Sequence, residues 1–412
     1  GKTAAFALPI VQMLSETTTY KKRKHPRALV LVPTRELAAQ VSEQMQNYGR
    51  RLSLRSIKIY GGVNIRPQME RLDRGVDIVV ATPGRLLDHA ERGTIKLHEI
   101  EFLVLDEADR MLDLGFSGEL DQVFAALPRK RQTLLFSATF PDAVRALSKS
   151  YQRDPLEILL DTDTRSEHIE QLFFEVPANR KNDVLLQLLG QLQPAQALVF
   201  CNTKIDCQNV EQHLAKAGFD VCALHGDLEQ RDRDEAMVRF QNASVRVLVA
   251  TDVAARGLDV SDLPLVFSYE LAHQADVHVH RVGRTGRAGK DGQALALVAS
   301  GEMARVKAIE EQMGMTARWQ RLDLSSIKLA PLKAEWKTLV IDAGRKDKLR
   351  PGDILGALTA KQAIDGKAVG KIALFDTRSY VALHKSVADR ALQLLRQDKI
   401  KGRSFRVRLL SP

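Results

Sequence analysis

The chain carries a series of short apolar runs, each closed by a small, hydroxyl-bearing or charged residue. Ala28-Leu29-Val30-Leu31-Val32 ends at Pro33-Thr34-Arg35, and Ile78-Val79-Val80-Ala81 ends at Thr82-Pro83-Gly84-Arg85. Phe102-Leu103-Val104-Leu105 ends at Asp106-Glu107-Ala108-Asp109, and Thr133-Leu134-Leu135-Phe136 at Ser137-Ala138-Thr139. Unbroken rather than alternating runs describe strands covered on both faces, the parallel sheet of an α/β fold. Ligands of such sheets bind beyond the carboxyl ends of the strands, which share one edge. Residues 57–60, leading into Gly61-Gly62, and residues 156–160 complete this first series.

A polar stretch at 161–167 reads as a linker, and a second series follows it. Strands are expected at 171–176, 197–200, 221–224 and 245–249, the last leading into Ala250-Thr251-Asp252. Gln230 and Arg233 open a helix within this series. Residues 319–333 read as a second linker. Beyond it, the order strand (338–341), helix (352–358), strands (370–375 and 380–383), helix (387–397) and strand (405–409) suggests a βαββαβ sandwich.

Several of these turns carry chemistry. Asp106 stands where a Mg²⁺ held by a nucleotide takes an oxygen ligand, and Glu107 where a base orients an attacking water. The same residues also suit the first turn of a solvated helix. Gly1-Lys2-Thr3 opens an apolar helical pattern (Ala4, Phe6, Ala7, Ile10, Val11, Leu14). It matches the end of a phosphate-binding loop, in which Lys meets the β/γ-phosphates and Thr the Mg²⁺. Thr34, Arg35, Gly62 and Thr82 fall in turns that offer a row of phosphate contacts, though each residue also suits an ordinary turn or helix cap. In His280-Arg281-Val282-Gly283-Arg284-Thr285-Gly286-Arg287, helical spacing is expected to bring three arginines near one face, suited to polyphosphate. His278 and His280 lack a nearby third ligand for zinc.

The formal charge of +10 is concentrated at the end of the chain. From Lys333 onward there are 18 Lys+Arg against 8 Asp+Glu, and the residues before it hold 43 of each sign. The tail therefore suits a polyanion, nucleic acid before membrane. Cys201, Cys207 and Cys222 show neither zinc spacing nor a disulfide framework and read as buried thiols of a reducing compartment. No apolar run approaches the ~18 residues of a membrane span, and Pro9 and Gln12 interrupt the signal-like start.

The ordered motifs GKT, PTRELAAQ, GG, TPGR, DEAD, SAT, LVFCNT, QRDR, ATDVAARGLD and HRVGRTGR span residues 1 to about 290. In that order and spacing the chain resembles the DEAD-box family of ATP-dependent RNA helicases of superfamily 2. The resemblance implies two tandem RecA-like parallel-sheet domains, at 1–160 (incomplete at its amino end) and 167–320. Residues 334–412 look like the RRM-like α+β RNA-binding domain of the DbpA group of bacterial DEAD-box helicases, which act on 23S ribosomal RNA in pre-50S particles.

The resemblance also implies roles for individual residues. Gly1, Lys2 and Thr3 hold the phosphates of ATP, Thr3 and Asp106 hold Mg²⁺, and Glu107 directs the water. Ser137 and Thr139 couple hydrolysis to RNA handling, Arg284 and Arg287 act as arginine fingers, Asp259 meets the ribose, and His280 links that motif to the acidic cluster. Thr34, Arg35, Gly62, Thr82, Arg85, Gln230, Arg233 and Thr251 contact RNA through backbone and 2′-OH. In the tail, Tyr380 is the one aromatic at a usual stacking position, Val340 occupying the other. Basic residues, among them Lys346, Arg378, Lys401 and Arg403, are therefore expected to carry much of the RNA binding.

A cytoplasmic monomer is expected. The family's adenine-reading segment and the glycine-rich start of its phosphate loop are not in these 412 residues. On that ground the chain reads as a fragment that binds ATP weakly. A superfamily 2 DNA translocase and an RNA-binding module without effective ATPase are the rival readings.

Overall fold

The structure, a computed structural model, describes residues 2–16, 24–159, 168–255, 262–286, 291–322, 330–360 and 363–410. They fall into two compact units that meet in sequence at residues 160/161.

The first unit is built on five parallel strands: β1 (Ala28–Leu31), β2 (Ser56–Ile59), β3 (Ile78–Ala81), β4 (Phe102–Leu105) and β5 (Gln132–Leu135). Their order is β2-β3-β1-β4-β5, with Ala28 of the central strand opposite Ile78 on one side and Phe102 on the other. Every residue of β1, β3 and β4 is buried because both faces are covered. Leu29, Leu31, Val79, Leu103 and Leu105 face one core. Ala28, Val30, Ile78, Val80 and Val104 face the other, under the helices Lys2–Glu16 and Arg35–Tyr48. Helix Lys2–Glu16 buries Phe6, Ala7, Ile10, Val11 and Leu14, the apolar stripe legible in its sequence. Residues 156–159 form no strand; Leu156, Ile158 and Leu159 are exposed. A run of strand-forming residues needs a partner edge for its backbone groups, and here its apolar side chains have no core to enter.

The second unit holds two sheets. The larger is parallel: β6 (Ile169–Glu175), β7 (Ala197–Cys201), β8 (Val221–Leu224), β9 (Val247–Thr251), β10 (Leu265–Ser268), β11 (Gly292–Val298) and β12 (Trp319–Gln320), in the order β12-β6-β11-β10-β7-β9-β8. The stretch expected to be a linker from residue 319 thus opens with a strand, paired to β6. Its later part is also pinned: Leu332 is fully buried, and the Ala334 amide donates to Asp220 Oδ2 at 2.6 Å. The linker expected at 161–167 lies outside the described residues.

The smaller sheet comprises β13 (Trp336–Ile341), β14 (Val369–Leu374), β15 (Ser379–His384) and β16 (Val407–Leu409), antiparallel in the order β14-β15-β13-β16. Helices Pro351–Thr359 and Ala388–Gln397 cover one face around Leu339, Ile341, Val381 and Leu383. Helix Gln230–Gln241 of the larger sheet's layer covers the other. Its Val238 joins Val340, Tyr380 and Leu410 in one buried cluster. The Asn242 amide nitrogen donates to the Thr338 hydroxyl at 3.3 Å, and Arg408 pairs with Glu235 at 3.3 Å. The tail sheet and the second parallel sheet therefore share one packed body.

Candidate functional site

Because all five strands of the first unit run parallel, their carboxyl ends form one edge. Along it, in sheet order, come Gly61-Gly62 after β2, Thr82 after β3, Thr34-Arg35 after β1, Asp106-Glu107 after β4 and Ser137 beyond β5.

At the acidic end of this edge, Asp106 is 4 % exposed. Burial, and then the negative charge of Glu107, push its carboxyl up to about 6, against the pull of the Lys2 ammonium. Lys2 Nζ donates to the Ser137 carbonyl at 2.9 Å, which holds the start of helix Lys2–Glu16 at the same edge. A divalent cation fits this arrangement, since a buried carboxylate with acidic neighbours gains most from one. Glu107 sits at φ 55°, ψ 54°, left-handed backbone that costs a bulky residue about 1–3 kcal/mol. Its half-exposed carboxylate is held by Arg110, Nη1 to Oε2 at 3.0 Å.

Asp109 is the residue whose role the sequence did not disclose. It is 5 % exposed, and its Oδ2 accepts from the amides of Ala138 (3.2 Å) and Thr139 (3.0 Å) and from the Thr139 hydroxyl (2.9 Å). In return the Asp109 amide donates to Ser137 Oγ at 3.3 Å. The acidic cluster and the Ser137-Ala138-Thr139 turn are one hydrogen-bonded assembly.

Toward the other end of the edge, the RNA candidates gather on the Gly61-Gly62-Val63 turn. Gly62 has φ +74°, and a Cβ there would lie 2.0 Å from the Arg35 guanidinium, so only glycine admits Arg35. Arg85 donates to the Val63 carbonyl from both terminal nitrogens, each at 3.2 Å. Thr34 caps helix Arg35–Tyr48 by accepting from the Leu37 amide at 3.3 Å, and Thr82 is buried.

In the second unit, three expected motifs meet at Arg281. This residue is 1 % exposed and pairs through two nitrogens with Asp252 (2.8 and 2.7 Å), while also donating to Asn202 Oδ1 (2.7 Å) and the Glu270 carbonyl (2.6 Å). Of the arginines expected on one helical face, Arg281 and Arg284 do not share one. Helix Ala275–Val282 ends at the Gly283 cap, so Arg281 turns into the core while Arg284 lies in the following turn, half-buried. His280 is also half-buried, Thr251 is 9 % exposed at the end of β9, and Gln230 and Arg233 lie half-buried on the first turn of their helix. Gly1, Asp259 and Arg287 lie outside the described residues.

Tyr380 is corrected by the structure: at 2 % exposure, beneath Val238 and edge-on to Phe375 at 5.4 Å, it has no face open to a base. Arg378 is half-buried and paired with Asp342 at 3.3 Å. Lys346, Lys401 and Arg403 are exposed. Lys401 Nζ donates to the Lys348 carbonyl and the Lys346 amide to that of Asp376, so loops 345–348, 376–378 and 401–403 meet at one end of the sheet. Gly344 makes this approach possible, because a Cβ there would lie 2.2 Å from the Phe375 carbonyl.

The family model of the DEAD/DEAH box helicases matches residues 1–147, that of the helicase conserved C-terminal domain 180–289, and that of the DbpA RNA binding domain 338–409. The ATP-dependent RNA helicase DbpA of Escherichia coli is 48 % identical over 411 residues, covering 100 % of this chain and 89 % of that protein. The chain belongs to the DEAD-box ATP-dependent RNA helicases of the DbpA type. It is accordingly an RNA-dependent ATPase and helicase built from two RecA-like domains and a small antiparallel-sheet domain. The Bacillus subtilis DbpA is 33 % identical, with 99 % of this chain and 88 % of that protein covered. Among solved structures, S. cerevisiae Dbp5 bound to RNA and ADP BeF3 has a TM-score of 0.68 at 32 % identity, covering 79 % of this helicase and 83 % of that chain. No helix of the helicase's described residues is long and apolar enough to cross a membrane.

Proposed function

We propose that this helicase remodels structured 23S ribosomal RNA in pre-50S particles, in the cytoplasm, using ATP and Mg²⁺. The reading of the RNA target rests on the tail's match to the DbpA RNA binding domain and its concentration of positive charge. Three domains, at 1–160, 167–320 and 334–412, divide the work.

Asp106 and Thr3 hold Mg²⁺ on the nucleotide, where the ion offsets charge on the phosphate oxygens. Lys2, with Gly1, binds the β/γ-phosphates. Glu107, aimed by its left-handed backbone and its pairing with Arg110, orients the water. Arg284 and Arg287 supply positive charge to the developing transition state, Asp259 binds the ribose, and His280 links their motif to the acidic cluster. Arg35, Gly62, Thr34, Thr82 and Arg85 in the first unit and Gln230, Arg233 and Thr251 in the second hold the RNA strand through its backbone. Because none of these contacts reads a base, target choice falls to the basic end of the tail, at Lys346, Lys401 and Arg403 with Arg378 beside them.

One observation carries the coupling: Asp109, three residues from Asp106, is bonded to Ser137, Ala138 and Thr139 by four hydrogen bonds. A change in phosphate state at Asp106 therefore has a rigid path along the strand edge. The test compares ATPase stimulation by 23S rRNA segments, by unrelated structured RNA of equal length and by single-stranded DNA. Stimulation by one 23S segment far above both controls is the expected result. Equal stimulation by all three overturns the choice of substrate.

A further inference from the structure

We propose that His25, His98 and Glu99 form a Zn²⁺ site at the end of the first sheet opposite the nucleotide edge. His25 stands three residues before β1, and His98 and Glu99 lie just before β4, its sheet neighbour. These positions are the amino ends of strands whose carboxyl ends carry Thr34 and Asp106. Among the described residues this is the one group of three such side chains whose donor atoms all lie within 4.8 Å of one another.

The geometry suits a shared ion. His98 Nε2 and Glu99 Oε1 are 3.6 Å apart, and the two imidazole rings meet edge to face with centroids 4.9 Å apart. Two ligands of a tetrahedral zinc, each at about 2.0–2.1 Å from the metal, stand about 3.3 Å from each other. The site therefore closes with side-chain adjustments of less than a bond length for that pair and a modest swing of His25.

The segments bearing the ligands are already locked together. Arg27, 1 % exposed, grips the Glu101 carboxylate through Nε (2.6 Å) and Nη2 (3.0 Å), and its third nitrogen donates to the Leu14 carbonyl at 3.2 Å. Backbone bonds run from the Glu101 amide (2.7 Å) and the Phe102 amide (3.1 Å) to the Arg27 carbonyl. Ligands mounted two or three residues from a bidentate ion pair lose little freedom on binding a metal, the arrangement that favours affinity. Two imidazoles and one carboxylate select zinc and its borderline neighbours over Mg²⁺, and the half-open surface leaves the fourth position to water.

Zn²⁺ here staples β1 to β4 at their starts and raises the stability of the first unit without entering the ATPase chemistry. The test titrates Co²⁺ and then Zn²⁺ into the full chain, free of any polyhistidine tag and stripped by chelator. One equivalent of Co²⁺ is expected to give the intense d–d bands of a four-coordinate ion, and Zn²⁺ to quench them. Micromolar Zn²⁺ is expected to raise Tm while Mg²⁺ at the same concentration does not. His98→Ala, at an exposed side chain, should abolish both effects yet keep the wild-type Tm in chelator and the wild-type ATPase. A wild-type chain without these bands overturns the proposal. So does retention of the bands in His25→Ala, His98→Ala and Glu99→Gln alike, since the cobalt then lies elsewhere.

Discussion

Thr139 donates twice to one oxygen of Asp109, through its amide at 3.0 Å and its hydroxyl at 2.9 Å. The hydroxyl bond can be removed without the amide bond, which separates the strength of the link from its existence. Thr139→Val is expected to cost about 1 kcal/mol of stability, whereas Asp109→Ala removes three acceptor contacts of a buried carboxylate at once and is expected to cost about 2–3 kcal/mol. Urea denaturation measures both. If this link couples hydrolysis to RNA, Thr139→Val also lowers duplexes unwound per ATP hydrolysed more than it lowers ATPase. An unchanged ratio removes the link from the mechanism.

Asp106 gives a pH signature with a definite sign. Its folded pKa of about 6 lies above the ordinary 3.8, because burial and then Glu107 disfavour the carboxylate. Between about pH 4 and 6 the folded chain thus holds a proton that the unfolded chain has lost, and stability falls as pH rises through that window. Above it the ionised side chain costs roughly 1–3 kcal/mol. Asp106→Asn is therefore expected to raise Tm at pH 7.5, to lose that gain by about pH 4, and to abolish ATPase. A lower Tm at pH 7.5 would contradict the assigned burial cost.

The central strands β1, β3 and β4 were legible because each of their residues is buried, so apolar identity alone marks them, and the edge that gathers Asp106, Thr34 and Thr82 follows from parallel order. What the letters could not give depends on neighbours. Leu156, Ile158 and Leu159 have strand composition but no core. The inward turn of Arg281 requires knowing that Asp252 and Asn202 lie beside it, and Asp109 finds Thr139 only because β4 pairs with β5. Tyr380 stands at the expected position on its strand, yet a helix from elsewhere in the chain covers it.

His89 is fully buried on the helix Pro83–Glu91 that follows Thr82. Its Nε2 meets Gln68 Oε1 at 2.9 Å and its Nδ1 the Thr94 hydroxyl at 2.8 Å, while the Gln68 amide donates to the Tyr60 carbonyl at 3.1 Å, just before Gly61. Burial holds its pKa down, favouring the neutral ring that one donor and one acceptor site require. His89→Ala is expected to destabilise by about 3 kcal/mol and to weaken RNA binding more than nucleotide binding, with His89→Gln recovering part of each loss. Equal losses of RNA and nucleotide affinity would mark a purely structural role.

Lys346, Lys401 and Arg403 are exposed at one end of the tail sheet, while Tyr380 is sealed beneath helix Gln230–Gln241. The two sets make opposite predictions. Replacing the three basic residues by Ala should flatten the slope of log RNA affinity against log salt by about 2, since each single-strand phosphate contributes about −0.7. Tyr380→Leu keeps an apolar side chain beneath Val238 and should leave both the affinity and its salt slope unchanged, although losing ring contacts costs stability of about 1–2 kcal/mol. Binding titrations over a salt series read both variants. A Tyr380→Leu chain that folds yet loses RNA affinity at every salt concentration would mean that the sheet opens to stack a base, and that the packing against Val238 is a closed state of the tail.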